Sequence, residues 1–558
     1  MKAISDLNVE ALRSLRRPIL VCCLAAAASI PVPALAQEGS GHSEDGPVVN
    51  TAEGPVRGYT KNGVDIFLGI PYAAPPVANL RWRPPQPVRH WTEPLNATHY
   101  GKTCPQIYEL GVFAAPTSTS EDCLYLNVFT TGESHGKKPV IVWIHGGGNF
   151  DGESNDYDGS KLATGGSIGT PTVVVTLNYR LNMFGFFSHP AINAEGHPWG
   201  NYGILDQQSV LSWVQRNIAA FGGDPTRVAL GGQSAGAQDT AANVLSPLAN
   251  GLFNRAIVQS TPGFTTFATL AAVAATDGVN FAAGAGCPGT DAATAACLRK
   301  LSAARILQLS ATSVANAPFV PGLIVDGSVI PIPPAQAWAT GQFNKMPMMG
   351  GAVKDEWTFF SGINEWFSGP PQAPITADQY PAAVGPVVAA EYPVSAYGGD
   401  PMLAYDRAFT DQFKCTELHI VQLWAVQVPT YAYDFVYQNA PYYFQKMPGY
   451  QPLAAHTIDI QFLFPGWHGG ILGVNIDQAT GAQRDLNAGE SNLSDQLVAA
   501  WTNFAATGNP NGSGDSPWPV FTTSSQKYLV EDLSLSTESA SEFRSAYKCD
   551  FWDPRLGL

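Results

Sequence analysis

The stretch Val228-Ala-Leu-Gly-Gly-Gln-Ser-Ala-Gly236 constrains this chain more than any other. A short apolar run meets a Gly-x-Ser-x-Gly and continues into the helix-compatible Ala237-Gln-Asp-Thr-Ala-Ala-Asn-Val-Leu245. A strand that reverses sharply into a helix strains its turn residue and leaves little room around it. Gly232 and Gly236 supply that room, and Ser234 is held at the tip with its hydroxyl exposed and a helix N-terminus behind it. A Gly-x-Ser-x-Gly in isolation is more often a serine in a glycine-rich turn. Here both flanks meet the mechanical requirement, and the stretch reads as a nucleophile elbow.

A strand ending in such an elbow needs neighbours. Pro139-Val-Ile-Val-Trp-Ile144 and Thr172-Val-Val-Val-Thr-Leu177 are continuous apolar runs of strand length, as expected in a sheet covered on both faces. Between Gln207 and Phe221 the residues Val210, Leu211, Val214 and Ile218 recur at helical spacing, and Gly222-Gly223-Asp-Pro225 ends that helix. Ala256-Ile-Val-Gln-Ser260, Met348-Met-Gly-Gly-Ala352 and the alternating Ser120 to Phe129 add strands. Tyr431-Ala-Tyr-Asp-Phe-Val-Tyr437 alternates so regularly that its four aromatics share one face. Strands alternating with helices predict an α/β fold on a mostly parallel central sheet flanked by helices, with long loop insertions. The proline-punctuated Phe67 to Pro76 and Leu80 to Pro85 read as loops laid over that sheet. Residues 261 to 340 are alanine-rich and helix-prone. A glycine-rich loop from Gly466 to Gly489 precedes a last helix, with Leu497, Trp501 and Phe504 on one stripe and Gly508 closing it.

The first 36 residues read as an export signal: Arg13, Arg16 and Arg17 precede the apolar Ile19 to Ile30, which ends in Ala34-Leu-Ala36 before Gln37. The apolar run is too short to span a membrane. Nothing divides the remainder into halves of different composition, so residues 37–558 are expected to form a single domain in a secreted or periplasmic protein. The leader holds four basic and two acidic residues, which leaves the rest two units more acidic than the full chain's −15. That charge argues against nucleic acid or anionic membrane as partners. Six of the eight cysteines remain after the leader, an even number that suggests disulfides in an exported chain. With no Cys-x-x-Cys among them, neither a metal nor another cofactor is implied.

A serine hydroxyl is a weak nucleophile and needs a base, itself oriented by an acid. Behind an elbow these partners follow in the order acid, then histidine, which leaves His419, His456 and His468. His419 falls in a helical pattern and His468 in the glycine-rich loop. His456 follows a proline- and aromatic-rich loop and opens Thr457-Ile-Asp-Ile-Gln-Phe-Leu-Phe464, and it is the expected base. Asp355 and Glu356 stand just past the candidate strand at Met348 to Ala352. One of them can face the imidazole while the other faces solvent, and the residues themselves do not choose between the two. An oxyanion formed on attack needs preorganised N–H donors. Ala235 supplies one, and the glycines of His145-Gly-Gly-Gly148, directly after an apolar strand, supply the others. The run from Tyr437 to Met447, with Tyr442, Tyr443 and Phe444, is a candidate pocket wall.

These motifs resemble the type-B carboxylesterase family, which also contains cholinesterases and fungal lipases on the α/β-hydrolase fold. The likeness runs from about Gly54 to Asp553. It is carried by Phe67-Leu-Gly-Ile-Pro-Tyr, Ser120-Glu-Asp-Cys-Leu-Tyr-Leu-Asn, His145-Gly-Gly-Gly, Asn178-Tyr-Arg, Asn201-Tyr-Gly-Ile-Leu-Asp-Gln, Phe221-Gly-Gly-Asp-Pro and Gly232-Gln-Ser-Ala-Gly. The resemblance implies a secreted serine esterase acting on small-molecule esters and water. In it Ser234 is the nucleophile, His456 the base and Glu356, from Lys354-Asp-Glu-Trp, the orienting acid; the amides of Gly147, Gly148 and Ala235 bind the oxyanion. It also implies disulfides between Cys104 and Cys123, Cys287 and Cys297, and Cys415 and Cys549. A lipase or polyester hydrolase on the same fold is the alternative, and a non-catalytic adhesion member a more distant one. Three departures from the family pattern stand out. Gln233 replaces the usual Glu before the nucleophile, which removes support for a cationic substrate. Asn149 replaces a frequent Phe and alters the expected pocket wall. Trp357 replaces a usual Gly after the acid.

Overall fold

The computed structural model describes residues 46–107, 117–132, 137–261, 268–312, 322–368, 375–444, 446–447, 449–467, 475–512 and 517–558. An eleven-stranded sheet organises them. In chain order its strands are β1 (Tyr59–Lys61), β2 (Val64–Pro71), β3 (Tyr125–Thr131), β4 (Lys138–Ile144), β5 (Val173–Leu177), β6 (Gly223–Gln233), β7 (Arg255–Gln259), β8 (Met348–Val353), β9 (Thr430–Phe435), β10 (Lys527–Glu531) and β11 (Ser536–Ser539). Across the sheet they run β11-β10-β9-β8-β7-β6-β4-β5-β3-β2-β1. The seven strands from β5 to β10 pair in parallel, and antiparallel strands close both edges.

Parallel strands need crossovers, and helices of the crossovers cover both faces. Strand β4 is buried at every position, which is why its sequence after Lys138 is apolar without alternation. Val140, Val142 and Ile144 join one core with Val210, Trp213 and Val214 of helix α1 (Tyr202–Asn217). Ile141 and Trp143 join the opposite core with Leu497, Trp501 and Phe504 of α5 (Ala488–Thr507), and Gly508 at φ 77° ends that helix. The four aromatics from Tyr431 to Tyr437 all lie in this second core, on one face as their alternation requires. The α/β expectation is met, and the alanine-rich segment is helical over Ala271–Gly284, Ala292–Arg299, Ala303–Thr312 and Pro334–Thr340.

Two expectations change. Phe67 to Pro71 is not a loop over the sheet but part of β2, inside it. Gly69, at φ 69°, sits at a register shift between Phe67 and Ile70, so the strand absorbs the glycine as a bulge and ends on its proline. Nor is α5 the last helix, since α6 (Ala540–Ala546) and α7 (Cys549–Leu556) follow. The remaining helices that bear on the site are α2 (Ala235–Leu245), α3 (Thr358–Ser368) and α4 (Pro401–Gln427). Bonds join Cys104 to Cys123, Cys287 to Cys297 and Cys415 to Cys549, and the last fastens α7 to the middle of α4. No helix among the described residues is long and apolar enough to cross a membrane.

Candidate active site

Strand β6 delivers Ser234 to the C-terminal edge of the sheet. There the chain turns at φ 57°, ψ −124°, a strained conformation for a residue with a Cβ, and enters α2. Backbone atoms close on this turn from every side. A Cβ on Gly232 would stand 2.5 Å from the carbonyl of Gly236, and one on Gly236 would stand 2.1 Å from the oxygen of Ile144. The Ser234 amide donates to Gln259 O at 2.9 Å, and its carbonyl accepts from Ala237 and Gln238 at 3.0 Å. The residue keeps 9% of its surface exposed.

The loop after β4 lies against this turn. A Cβ on Gly146 would be 3.0 Å from Gln233 O and 3.2 Å from Ser234 Cβ. Gly147, Gly148 and Asn149 follow at φ 105°, 61° and 63°, three successive positive values that two glycines and an asparagine tolerate best. Gly148 is exposed, while Ala235 opens α2, so amides from a loop and a helix N-terminus flank the serine. His145 is buried and stacked on Tyr179 at 4.5 Å, and burial pushes its pKa down to about 4, so the ring is neutral and donates from Nδ1 to Gly146 O. Asn149, expected at a pocket wall, is only 2% exposed. Its amide turns inward to Asp239 of α2 at 3.1 Å.

His456 follows β9, three strands across the sheet from β6. Its Nδ1 stands 2.5 Å from Glu356 Oε2, which fixes the proton on Nδ1 and leaves the Nε2 lone pair free to accept. Gln233, the residue before Ser234, donates its side-chain amide to that Nε2 at 3.2 Å, so the imidazole meets the elbow directly. The other oxygen of Glu356 accepts from Val353 N at 3.0 Å, and the ring lies 5.4 and 5.5 Å from Phe359 and Phe360 of α3.

Of the two candidate acids, Glu356 is the one on the imidazole. Asp355 does not face solvent as expected; it is 8% exposed and accepts from Gln438 Nε2 at 2.6 Å and Ala454 N at 3.1 Å. It thereby anchors the loop that carries His456. Trp357, the third departure from the family pattern, stacks on Phe409 of α4 at 5.1 Å. The aromatic run read as a candidate pocket wall is buried, and its tyrosines bond to the loop that carries the histidine. Tyr442 OH donates to His456 O at 3.0 Å, Tyr443 OH pairs with Thr457 Oγ1 at 2.7 Å, and Phe444 packs near Phe359. His419 lies in α4 as its periodicity indicates, and His468 falls outside the described residues.

Three further side chains escaped the sequence reading. Lys414 of α4 is fully buried, with Nζ on Ala352 O at 2.9 Å and on Asp434 at 3.1 Å, and its positive charge acts on Glu356. A lysine inside a helical stripe carries no mark of such a role. Asp459 accepts from Gln259 Nε2 at 2.9 Å, and burial lifts its pKa to about 6. Asp239 lies in α2 beneath the loop glycines. Among the described residues the one His, Cys, Asp or Glu group close enough to share a metal ion is Cys415, Cys549 and Asp553. Its two sulfurs are already joined to each other.

Comparison with known proteins agrees with this architecture. The model of the Carboxylesterase family matches residues 45–373 and 394–552. The cocaine esterase of Homo sapiens is 32% identical over 93% of this chain and 93% of its own length, and the acylcarnitine hydrolase of Mus musculus is 32% identical with the same coverage. Carboxylesterase 1D of Rattus norvegicus is 33% identical over 92% of this chain and 94% of its own. With the elbow, the glycine loop and the histidine–glutamate pair meeting at the C-terminal edge of a mostly parallel sheet, the chain belongs to the carboxylesterase family, with the α/β-hydrolase fold, and is a carboxylic ester hydrolase.

Proposed function

We propose that the protein is an exported serine carboxylesterase that works through an acyl-enzyme. Ser234 attacks the ester carbonyl as its proton passes to Nε2 of His456, displacing the amide of Gln233 from that lone pair. Glu356 holds the imidazole by Nδ1 and stabilises the positive charge it gains. The oxyanion draws on the N–H groups of Gly147, Gly148 and Ala235. His456 returns its proton to the departing alkoxide, and water repeats the sequence on the acyl group with the same partners. The contact that carries this reading is Glu356 Oε2 on His456 Nδ1 at 2.5 Å, with the opposite ring nitrogen against the residue that precedes Ser234.

The relatives' names include a cocaine esterase, an acylcarnitine hydrolase and a pyrethroid hydrolase. For this chain the neutral Gln233 supports uncharged esters over cationic ones. Three disulfides and the leader over residues 1–36 support export to an oxidising compartment of a single domain over 37–558. Sequencing the mature N-terminus tests this, with Gln37 expected first.

The decisive experiment is hydrolysis of chromogenic esters by Ser234→Ala beside wild type. A loss of about 10⁴-fold or more in kcat/KM is expected. Retained hydrolysis, or labelling of a different residue by a serine-directed phosphonate, overturns the mechanism.

A further inference from the structure

The oxyanion site is split between two elements, the loop His145 to Asn149 and the first turn of α2. A clamp of buried polar side chains joins them beneath the substrate side. Asn149 Nδ2 donates to Asp239 Oδ1 at 3.1 Å, and Asn149 Oδ1 accepts from Tyr179 OH at 3.1 Å. The same phenol lies 3.0 Å from His145 O, so one hydroxyl shares its single proton between the two ends of the pentapeptide His145 to Asn149 that contains Gly147 and Gly148. Asp239 stands one turn below Ala235 in α2, and its other oxygen accepts from Gln207 Nε2 of α1 at 2.6 Å. We propose that Asn149 and Asp239 are positioning residues that lock the glycine loop to helix α2 and so set the geometry of the oxyanion donors. This rests on the oxyanion role assigned above to Gly147, Gly148 and Ala235.

Two physical arguments carry it. Three successive positive φ angles form a segment in which the two glycines are at ease and Asn149, at φ 63°, carries the backbone cost, a conformation that persists where its surroundings over-determine it. Asn149 is its last residue, and its carbonyl is held too, accepting from Asn182 N at 2.6 Å. Asp239 is fully buried among amides and a phenol, and burial lifts its pKa to about 7. An acid kept in such a place works against folding, and such sites cluster where geometry serves a reaction.

The test uses the full-length enzyme with Asn149→Gly, which keeps the positive φ but removes the amide, and with Asp239→Ala and Asp239→Asn. Each is assayed for kcat and KM on a chromogenic ester, and for inhibition by a trifluoromethyl ketone, which forms a tetrahedral oxyanion, and by the product alcohol, which does not. Asn149→Gly and Asp239→Ala should lower kcat about 10- to 100-fold with KM within about threefold, because displaced donors lose transition-state contacts selectively. Ketone affinity should fall in parallel while alcohol affinity holds, and Asp239→Asn, which can still accept from Asn149 but sets its NH2 against the amide of Gln207, should fall between Asp239→Ala and wild type. A kcat within about twofold of wild type in a folded variant overturns the clamp, as does an equal loss of affinity for ketone and alcohol. If these variants do not fold, Tyr179→Phe carries the test: a kcat reduced about threefold or more supports the clamp, and an unchanged one overturns it. Ser234→Ala separates the two claims. If it abolishes hydrolysis while the clamp variants behave as wild type, the clamp alone fails; if it retains hydrolysis, the serine mechanism and the clamp fall together.

Discussion

Ser234 and His456 occupy turns of opposite construction. The serine turn is made by absence: Gly232 and Gly236 have no side chain, and backbone atoms of β4 and α2 fill the space a Cβ would need. The histidine turn is made by presence. Leu453 at φ 53° and Thr457 at φ 79° sit near His456 in a region that favours glycine, with neither a glycine. The loop is held by Tyr442, Tyr443 and Asp355 from elsewhere in the chain. One half of the site is therefore set by short-range sterics and the other by long-range hydrogen bonds. Changes at the first should cost the fold, and changes at the second should cost catalytic geometry.

The largest effect that would sharpen this contrast is at Glu356. Glu356→Gln keeps shape and burial but removes the charge on Nδ1, and kcat should drop by about 10³- to 10⁴-fold while the melting temperature stays close to wild type. A variant retaining a tenth of the rate would mean that the imidazole is oriented by its other contacts. Gly236→Ala should act in the opposite sense, lowering stability in urea by about 3–5 kcal/mol because the added methyl meets Ile144 O. A soluble, fully active Gly236→Ala of normal stability would show that the elbow can relax after all.

Smaller changes test the brace behind the histidine. Tyr442→Phe deletes only the hydroxyl on His456 O, and about 0.5–1.5 kcal/mol of stability should go with it. A severalfold fall in kcat should accompany that loss, and an unchanged kcat would remove Tyr442 from the brace.

The smallest effect concerns the contact between α3, which carries Phe359 and Phe360, and α4. There Ser361 Oγ donates to the buried Asp406. Burial pushes the Asp406 carboxyl up to about 8, and the charges of Asp400 and Asp355 add to this. The folded protein therefore holds a proton that the unfolded chain releases near the usual value of about 4. Stability from this group is complete below that value and is lost as pH rises through about 8. Asp406→Asn cannot ionise, so its melting temperature should gain on wild type between pH 5 and pH 9, by about 1–3 °C at a fixed scan rate. A gap that does not change with pH would show that Asp406 ionises in the fold as it does outside it.

Much of the site was legible before any coordinates. The elbow, the glycine loop and the strand before each are contiguous in the chain, and their placement follows from residue spacing. The choice of Glu356 over Asp355 was not legible from the residues themselves, because both follow the same strand and both are buried. What separates them is the direction each side chain takes, toward His456 or toward Gln438 and Ala454, and that is fixed only when the loop from Ala440 to His456 folds back. The aromatic run stayed ambiguous for a related reason. Tyrosines near a catalytic histidine can face substrate or brace the loop, and the composition is the same for either use.

By itself the sequence determined where the serine turn must lie and why the strands around it are apolar on both faces. Those features answer to period and to the contact of Gly232 with Gly236, which act over a few residues, while the neighbouring strand's Ile144 O tightens the same turn. Tertiary structure alone decided which acid reaches the imidazole, that Lys414 supplies a buried positive charge near it, and that Asn149 turns inward to Asp239. Each of these depends on side chains tens of positions apart, up to 100, arriving close together in a medium that screens charge weakly, and no local pattern records that meeting.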